Sequence, residues 1–394
     1  MADAAVASKA RDAWVLFVLG ALTAFAPMSI DMYLPAFGQI GRALDAGANA
    51  LQLSLVVYFV GLAVGQAAWG SLSDRYGRLP PLRAGIALYI AASLGCAAAT
   101  RIDVLLACRA LQGLAGCAGI VLARSMVRDR YAGDAVARVF SRLALVLGVA
   151  PILAPLAGGW LVAHGGWRWV FGALAAYGAL CLAAVATLDE TLPPALRRRQ
   201  TLRDAIASYD TLRRDRGFMR HAAVAAVTQA GMFAYILASP AVLIGLYGVA
   251  PQHFGLYFGA NAAGLIAASQ INHALLPRFG MARLLAFGVR ALAAAAALLV
   301  LAAARGGLPW LLPPLCAFVA VLGFCMPNAM ALALSAQGRR AGSAAALIGS
   351  LQYWFAACAG GLVALLPAGS ALPMALVMAA CAGTGLALQR SLAA

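Results

Sequence analysis

Gly70-Ser71-Leu72-Ser73-Asp74-Arg75-Tyr76-Gly77-Arg78 is a charged, glycine-bounded turn between two runs, near residues 50 to 71 and 81 to 99, that carry at most one charge each. Each run approaches the ~20 apolar residues that cover ~30 Å of hydrocarbon as a helix. Two such runs joined by a basic turn predict a helical hairpin in lipid with the turn in the cytoplasm. The whole chain has the same character: of 394 residues 64% are in the hydrophobic set and 11% are charged, with a mean hydropathy of +0.87. A water-soluble domain carries about 25% charged residues and has to wet its exterior. That class is excluded, and so is intrinsic disorder.

Division at the charged and Gly/Pro-rich clusters gives twelve apolar runs, near 14 to 37, 50 to 71, 81 to 99, 103 to 125, 138 to 162, 167 to 187, 219 to 247, 253 to 276, 282 to 304, 309 to 335, 341 to 366 and 371 to 391. Their length predicts helices, because no pattern of short alternating barrel strands is present. The expected fold is an all-α multi-pass membrane protein. With the N-terminus inside, 23 of the 29 Lys and Arg fall in inner segments and 4 in outer ones, while Arg109 and Arg290 fall within spans. Both termini are therefore expected in the cytoplasm. The net charge of +16 becomes a positive-inside signature, not a surface for nucleic acid.

The longest hydrophilic stretch, about Leu188 to Arg220, contains Pro193, Pro194, Arg197, Arg198 and Arg199 and separates six runs from six. The expected units are a six-helix bundle at 1–187, a cytoplasmic linker at 188–218 and a second bundle at 219–394. Asp74-Arg75-Tyr76-Gly77 after the second run is echoed by Pro277-Arg278-Phe279-Gly280 after the eighth, 203 residues on. Internal repeats of this kind build transporters around a central site.

Of thirteen acids, only Asp31 lies within a predicted span. A carboxylate at that depth is costly unless it is paired or hydrated, so Asp31 is a functional candidate; the rival reading is a carboxylate that only ties helices together. It stands in Pro27-Met28-Ser29-Ile30-Asp31-Met32-Tyr33-Leu34-Pro35. Pro35 has no N–H to offer the Asp31 carbonyl, so the helix is expected to open there. Arg109 in the fourth run lies at the same depth, about 9 Å below the outer surface at 1.5 Å per residue. An Asp31–Arg109 ion pair is expected, with Gln112 on the same helix face as Arg109. Arg290 is placed to snorkel.

At this point the residues resemble a family. The Gly70 to Arg78 turn is similar to the signature loop of the major facilitator superfamily, and the twelve-run plan follows that fold. Arg109-Ala110-Leu111-Gln112-Gly113 resembles its second motif, which implies proton coupling by Arg109. Gly148, Pro151, Pro155, Gly158 and Gly159 resemble the antiporter motif, with Ala154 where a glycine usually stands. Asp31 to Pro35, Gly148 to Pro155, and Ser269-Gln270-Ile271-Asn272 resemble the Bcr/CflA drug:proton antiporters. The resemblance implies a bacterial inner-membrane exporter working by alternating access. It also implies that Gly70, Asp74, Arg75, Gly77 and Arg78 latch the cytoplasmic side in the outward-facing state.

Polar and aromatic residues at middle depth are the expected cavity lining: Tyr33, Tyr58, Gln112, Tyr235, Asn261, Asn328, Gln352 and Tyr353. Tyr also populates interfacial belts, so some of these belong there instead. All eight cysteines lie in apolar runs without a C-x-x-C pair and read as packing residues. No cofactor or metal is expected. The expected partners are a small-molecule substrate, protons and the bilayer, with the chain a monomer and no nucleic acid bound. An exporter or facilitator of a metabolite such as an amino acid is the alternative. An enzyme is disfavoured by short outer loops without a catalytic motif, and a channel by the lack of a filter loop or charge ring.

Overall fold

The computed structural model describes residues 2–197, 210–338, 341–367 and 369–393. Residues 198–209 of the predicted linker, with Arg198 and Arg199, lie outside the described residues. Those described form helices and turns without a strand. The helices are α1 (Ala2–Thr23), α2 (Phe25–Asp31), α3 (Phe37–Ala43), α4 (Ala48–Tyr76), α5 (Leu79–Ala98), α6 (Ile102–Arg130), α7 (Asp134–Gly165) and α8 (Trp167–Ala186). After the linker come α9 (Arg216–Ser239), α10 (Pro251–Arg305), α11 (Leu308–Ser335), α12 (Ala341–Leu365) and α13 (Leu372–Ala393). Among the described residues ten helices are long and apolar enough to cross a membrane, and the segments Arg11–Thr23 and Phe25–Ala43, bent by 41°, make an eleventh if they form one span.

The bend has a sequence cause. Pro27 cannot bond the Thr23 carbonyl, and α1 ends at Thr23. Pro35 leaves the Asp31 carbonyl without its helical partner; α2 ends at Asp31, and the chain resumes as a short 3₁₀ turn, Leu34–Ala36. The first run is thus broken on both sides of Asp31. α9 passes at Pro240 into a π-helical turn, Pro240–Leu246.

At ~1.5 Å per residue the 55 residues of α10 would stretch about 80 Å, far beyond a bilayer core. The helix is interrupted at Gly280, φ 73° and ψ 160°, a conformation that an L-residue rarely adopts. Gly77, which ends α4, has nearly the same dihedrals, φ 93° and ψ 173°. The sequence echo is therefore also an echo in backbone shape. It extends to side chains: Arg75 lies over the Tyr76 ring at 5.2 Å and Arg278 over Phe279 at 5.4 Å.

α4 packs on α12 and α7 on α10, so helices from both sides of the linker meet along two seams. Large apolar side chains such as Phe17, Leu145, Leu301 and Leu365 face outward, an exterior that only lipid can cover.

Candidate functional site

Gly113 of α6 lies against the Tyr58 carbonyl of α4; a Cβ there would come within 2.1 Å of the oxygen. This near backbone contact sets the Tyr58 ring over Arg109. The guanidinium carbon of Arg109 stands 4.3 Å from the Tyr58 ring centre and 4.5 Å from that of Tyr33, so the cation is sandwiched between two aromatic faces. Arg109 is fully buried. Its Nη1 donates to the Ser29 carbonyl at 3.1 Å and to Gln112 Oε1 at 2.5 Å. Gln112 Nε2 donates to Ser93 Oγ at 2.8 Å, Ser29 Oγ and Tyr89 OH are 2.6 Å apart, and Tyr33 OH lies 2.8 Å from Ser54 Oγ. Arg109 Nε and Nη2 have no partner.

Asp31 is buried at the C-terminal end of α2. The expected ion pair with Arg109 is not formed: among the described residues Arg109 takes part in none, and Asp31 in neither an ion pair nor a hydrogen bond. The reason lies in α2. Arg109 and Tyr89 hold Ser29, and two residues further on, at 100° each, Asp31 leaves the helix about 200° away. The residue after it, Met32, has its carbonyl seated against Gly158 of α7, so the helix break that carries Asp31 is packed on α7.

The other expected cavity residues divide. Tyr235 OH accepts from Asn261 Nδ2 at 2.7 Å, and both line a small cavity of about 50 Å³ with Gly148 and Pro151 of α7. Tyr353, half-buried on α12, neighbours Phe59 at 6.2 Å and Phe233 at 6.0 Å and bridges the halves, with Gln352 half-buried beside it. Gln112 belongs to the arginine network and not to open space. Asn328 is closed on Asn272 Oδ1 at 2.6 Å and on the Phe324 carbonyl at 2.8 Å. On α7, Gly158 packs against the Met32 carbonyl, Gly159 against that of Pro251, and Pro155 is buried.

At the far end of α4, Arg78 is the hub of a charge cluster. Its Nε donates to Asp129 Oδ2 at 2.7 Å, and its Nη1 to Asp74 Oδ1 at 2.5 Å and Ser73 Oγ at 2.9 Å. Glu190, beyond α8, accepts from the backbone N–H groups of Arg78 at 2.8 Å and Leu79 at 3.0 Å and so caps α5. A Cβ on Gly77 would stand 2.7 Å from the Glu190 carboxylate. Burial pushes the Glu190 carboxyl up, but bonds from the Leu192, Arg78 and Leu79 amides, with the Arg197 charge, outweigh it and hold the group below its ordinary value. Gly70 lies near Val121 of α6. Arg75, expected in the latch, is exposed and stacks on Tyr76 instead. Asp129, Glu190, Ser29, Tyr89 and Ser93 were not read from the sequence. The one available signal was Tyr89 and Ser93, four residues apart and so on one helix face.

A cavity of about 430 Å³ opens between the halves at the Arg78 end, and one of about 250 Å³ at the opposite end. Among the described residues no group of three or more His, Cys, Asp or Glu could hold a metal ion.

Apolar spanning helices, cavities on the seam between two halves and buried ionisable groups at its centre define a membrane transporter, not an enzyme. A family model for the Major Facilitator Superfamily matches residues 19–361, and the chain belongs to that superfamily. It is 36% identical over 370 residues to the MFS-type transporter YdgK of Bacillus subtilis, covering 92% of this chain and 91% of that protein. It is 30% identical over 369 residues to the bicyclomycin resistance protein homolog of Haemophilus influenzae, covering 93% and 92%. A crystal structure of a D-xylose-proton symporter shares the fold with a TM-score of 0.73 at 14% identity, over 95% of this chain and 96% of that one.

Proposed function

We propose that this protein exports small lipophilic or amphipathic compounds in exchange for protons, with Asp31 as the proton carrier. The carrying observation is a buried carboxyl at a helix break, in neither an ion pair nor a hydrogen bond among the described residues, together with a fully buried arginine whose Nε and Nη2 have no partner. Such an acid is stable only when neutral, hydrated or paired, and each rearrangement of the seam changes which of these applies. Arg109 offers the ionised form a partner once α2 turns. The relative named for bicyclomycin resistance supports drugs as the cargo.

The same reading counts the bent segments 11–43 as one span and the two parts of α10 as two, which gives twelve spans in two bundles with both termini in the cytoplasm. The protein acts as a monomer in a bacterial inner membrane. Gly70, Asp74, Gly77 and Arg78, joined by Asp129 and Glu190, latch the cytoplasmic side, and α7 couples it to the proton site. The test is drug movement in proteoliposomes under an imposed pH gradient. Uphill export that a protonophore abolishes is expected; export indifferent to the gradient would exclude proton exchange.

A further inference from the structure

The larger cavity is lined by two arginines and by no carboxylate among the described residues. The fourth apolar run was expected to end near 125, just after Arg124, but α6 continues to Arg130. The two cations therefore stand one helical turn apart on one face, at the mouth of the space between the halves. Arg124 lines this cavity together with Gln66 of α4. Arg128 reaches across to the first turn of α12, where a Cβ on Gly342 would stand 3.0 Å from its Nη1.

Two like charges on one face destabilise each other unless something neutralises them. The acids nearby do not serve Arg124: Asp74 and Asp129 both accept from Arg78, and their charges act on Arg128. Arg124 has neither an ion pair nor a hydrogen bond among the described residues. The first turn of α12, with Gly342 on the same wall, adds the positive end of a 25-residue helix. The rest of the wall is largely apolar, with Val121 on the same face of α6, Phe140 of α7, and Met330 and Leu334 of α11. About 430 Å³ suits a molecule of drug size.

We infer that this vestibule is a binding site for an amphipathic organic anion, whose carboxylate pairs with Arg124 and Arg128 while its apolar body lies against Met330, Leu334 and Phe140. The cargo class is then an acidic or strongly electron-rich amphiphile, and lipophilic cations are turned away at the cytoplasmic mouth even though the deeper acceptor, Asp31, is a carboxyl. This rests on the reading of the seam as the transport route. Gln66, on the same wall, adds an amide for the remaining polar atoms of the ligand.

The experiment measures binding of the fluorescent carboxylate 11-(dansylamino)undecanoic acid and of its neutral primary amide to the purified full chain in phosphatidylcholine nanodiscs. The carboxylate is expected to bind at least tenfold tighter, with the preference shrinking as salt is raised. Arg124→Gln is expected to bring the ratio within twofold and Arg124→Lys to retain most of it, both eluting and melting like the parent protein. Equal binding of acid and amide by the parent, or an undiminished preference in Arg124→Gln, would overturn the site. Nanodiscs containing phosphatidylglycerol separate the two sources of such an anion. An unchanged preference there supports a dissolved ligand, and its loss would assign the site to a lipid headgroup and overturn the cargo assignment. Selective binding without gradient-driven export would leave this site standing and sink the transport proposal, whereas gradient-driven export without selectivity would do the reverse.

Discussion

Gly158 of α7 is seated on the backbone carbonyl of Met32, so tightly that a Cβ would stand 2.2 Å from the oxygen. The neighbouring residue in the chain is Asp31. Gly158 is thus a bearing surface for the helix break that holds Asp31, the proposed proton carrier.

Gly158→Ala is expected to destabilise the fold by about 1–3 kcal/mol, the usual cost of overpacking, and to lower transport more than expression. Gly172→Ala is the comparison: Gly172 lies in the interior of α8 with nothing within 4 Å of a built Cβ, and alanine there favours the helix. Thermal unfolding of both variants in detergent tests the contact; equal midpoints would dissolve it.

Asp31→Asn holds the proton-loaded form permanently. Uphill drug export and substrate-induced proton release are expected to vanish while the protein stays folded and inserted. Asp31→Glu keeps the acid one methylene further out and should retain part of the activity. Full gradient-driven export by Asp31→Asn in proteoliposomes would move the proton site elsewhere.

Arg109→Lys keeps the charge but loses the planar cation held between Tyr33 and Tyr58 and the Nη1 that donates to both Ser29 and Gln112. At least a tenfold fall in coupled transport is expected. A lysine variant exporting at the parental rate would show that only the charge matters.

Asp74→Asn and Asp129→Asn each remove one partner of Arg78 and are expected to slow turnover while leaving substrate affinity near that of the parent. Asp129, whose side chain is 17% exposed against 40% for Asp74, should have the larger effect on stability, because the ion pair it makes with Arg78 is the better shielded of the two. Equilibrium binding beside single-turnover transport separates the cases, and lost binding with an intact fold would place these acids in the cargo site.

Glu190 gives the Arg78 end of α5 a pH signature. Its folded-state value lies below the ordinary 4.5, so its stabilisation is complete above that value and is lost as the pH falls through the lower folded one. Melting temperature measured from pH 7 down to pH 3 should therefore fall less steeply for Glu190→Gln than for the parent in the acid range. Parallel curves would count against the cap on α5.

Much of this was legible in the sequence because lipid makes length and charge unusually informative. The break at Asp31 followed from Pro35, and the turn at Gly280 from its likeness to Gly77. What was missed depended on which way a helix face turns. Equal depth put Asp31 and Arg109 together, but depth is one coordinate and rotation about α2 is another; Ser29 and Tyr89 decide the rotation, and nothing local announces them. Likewise α6 ran past its expected end at about 125, which brought Arg128 onto the helix face of Arg124 and into the cavity wall. Asp129 and Glu190 reach Arg78 across distances of 51 and 112 residues that no motif spans.

The paired turns at Gly77 and Gly280 share a shape but not their surroundings. The same left-handed corner with an arginine lying on the next ring stands in both halves, yet nothing lies within 4 Å of a Cβ built at Gly280, while Gly77 is covered by Glu190 and Arg197. One corner is therefore clasped by side chains from beyond α8, and its counterpart, alike in backbone, stands bare among the described residues.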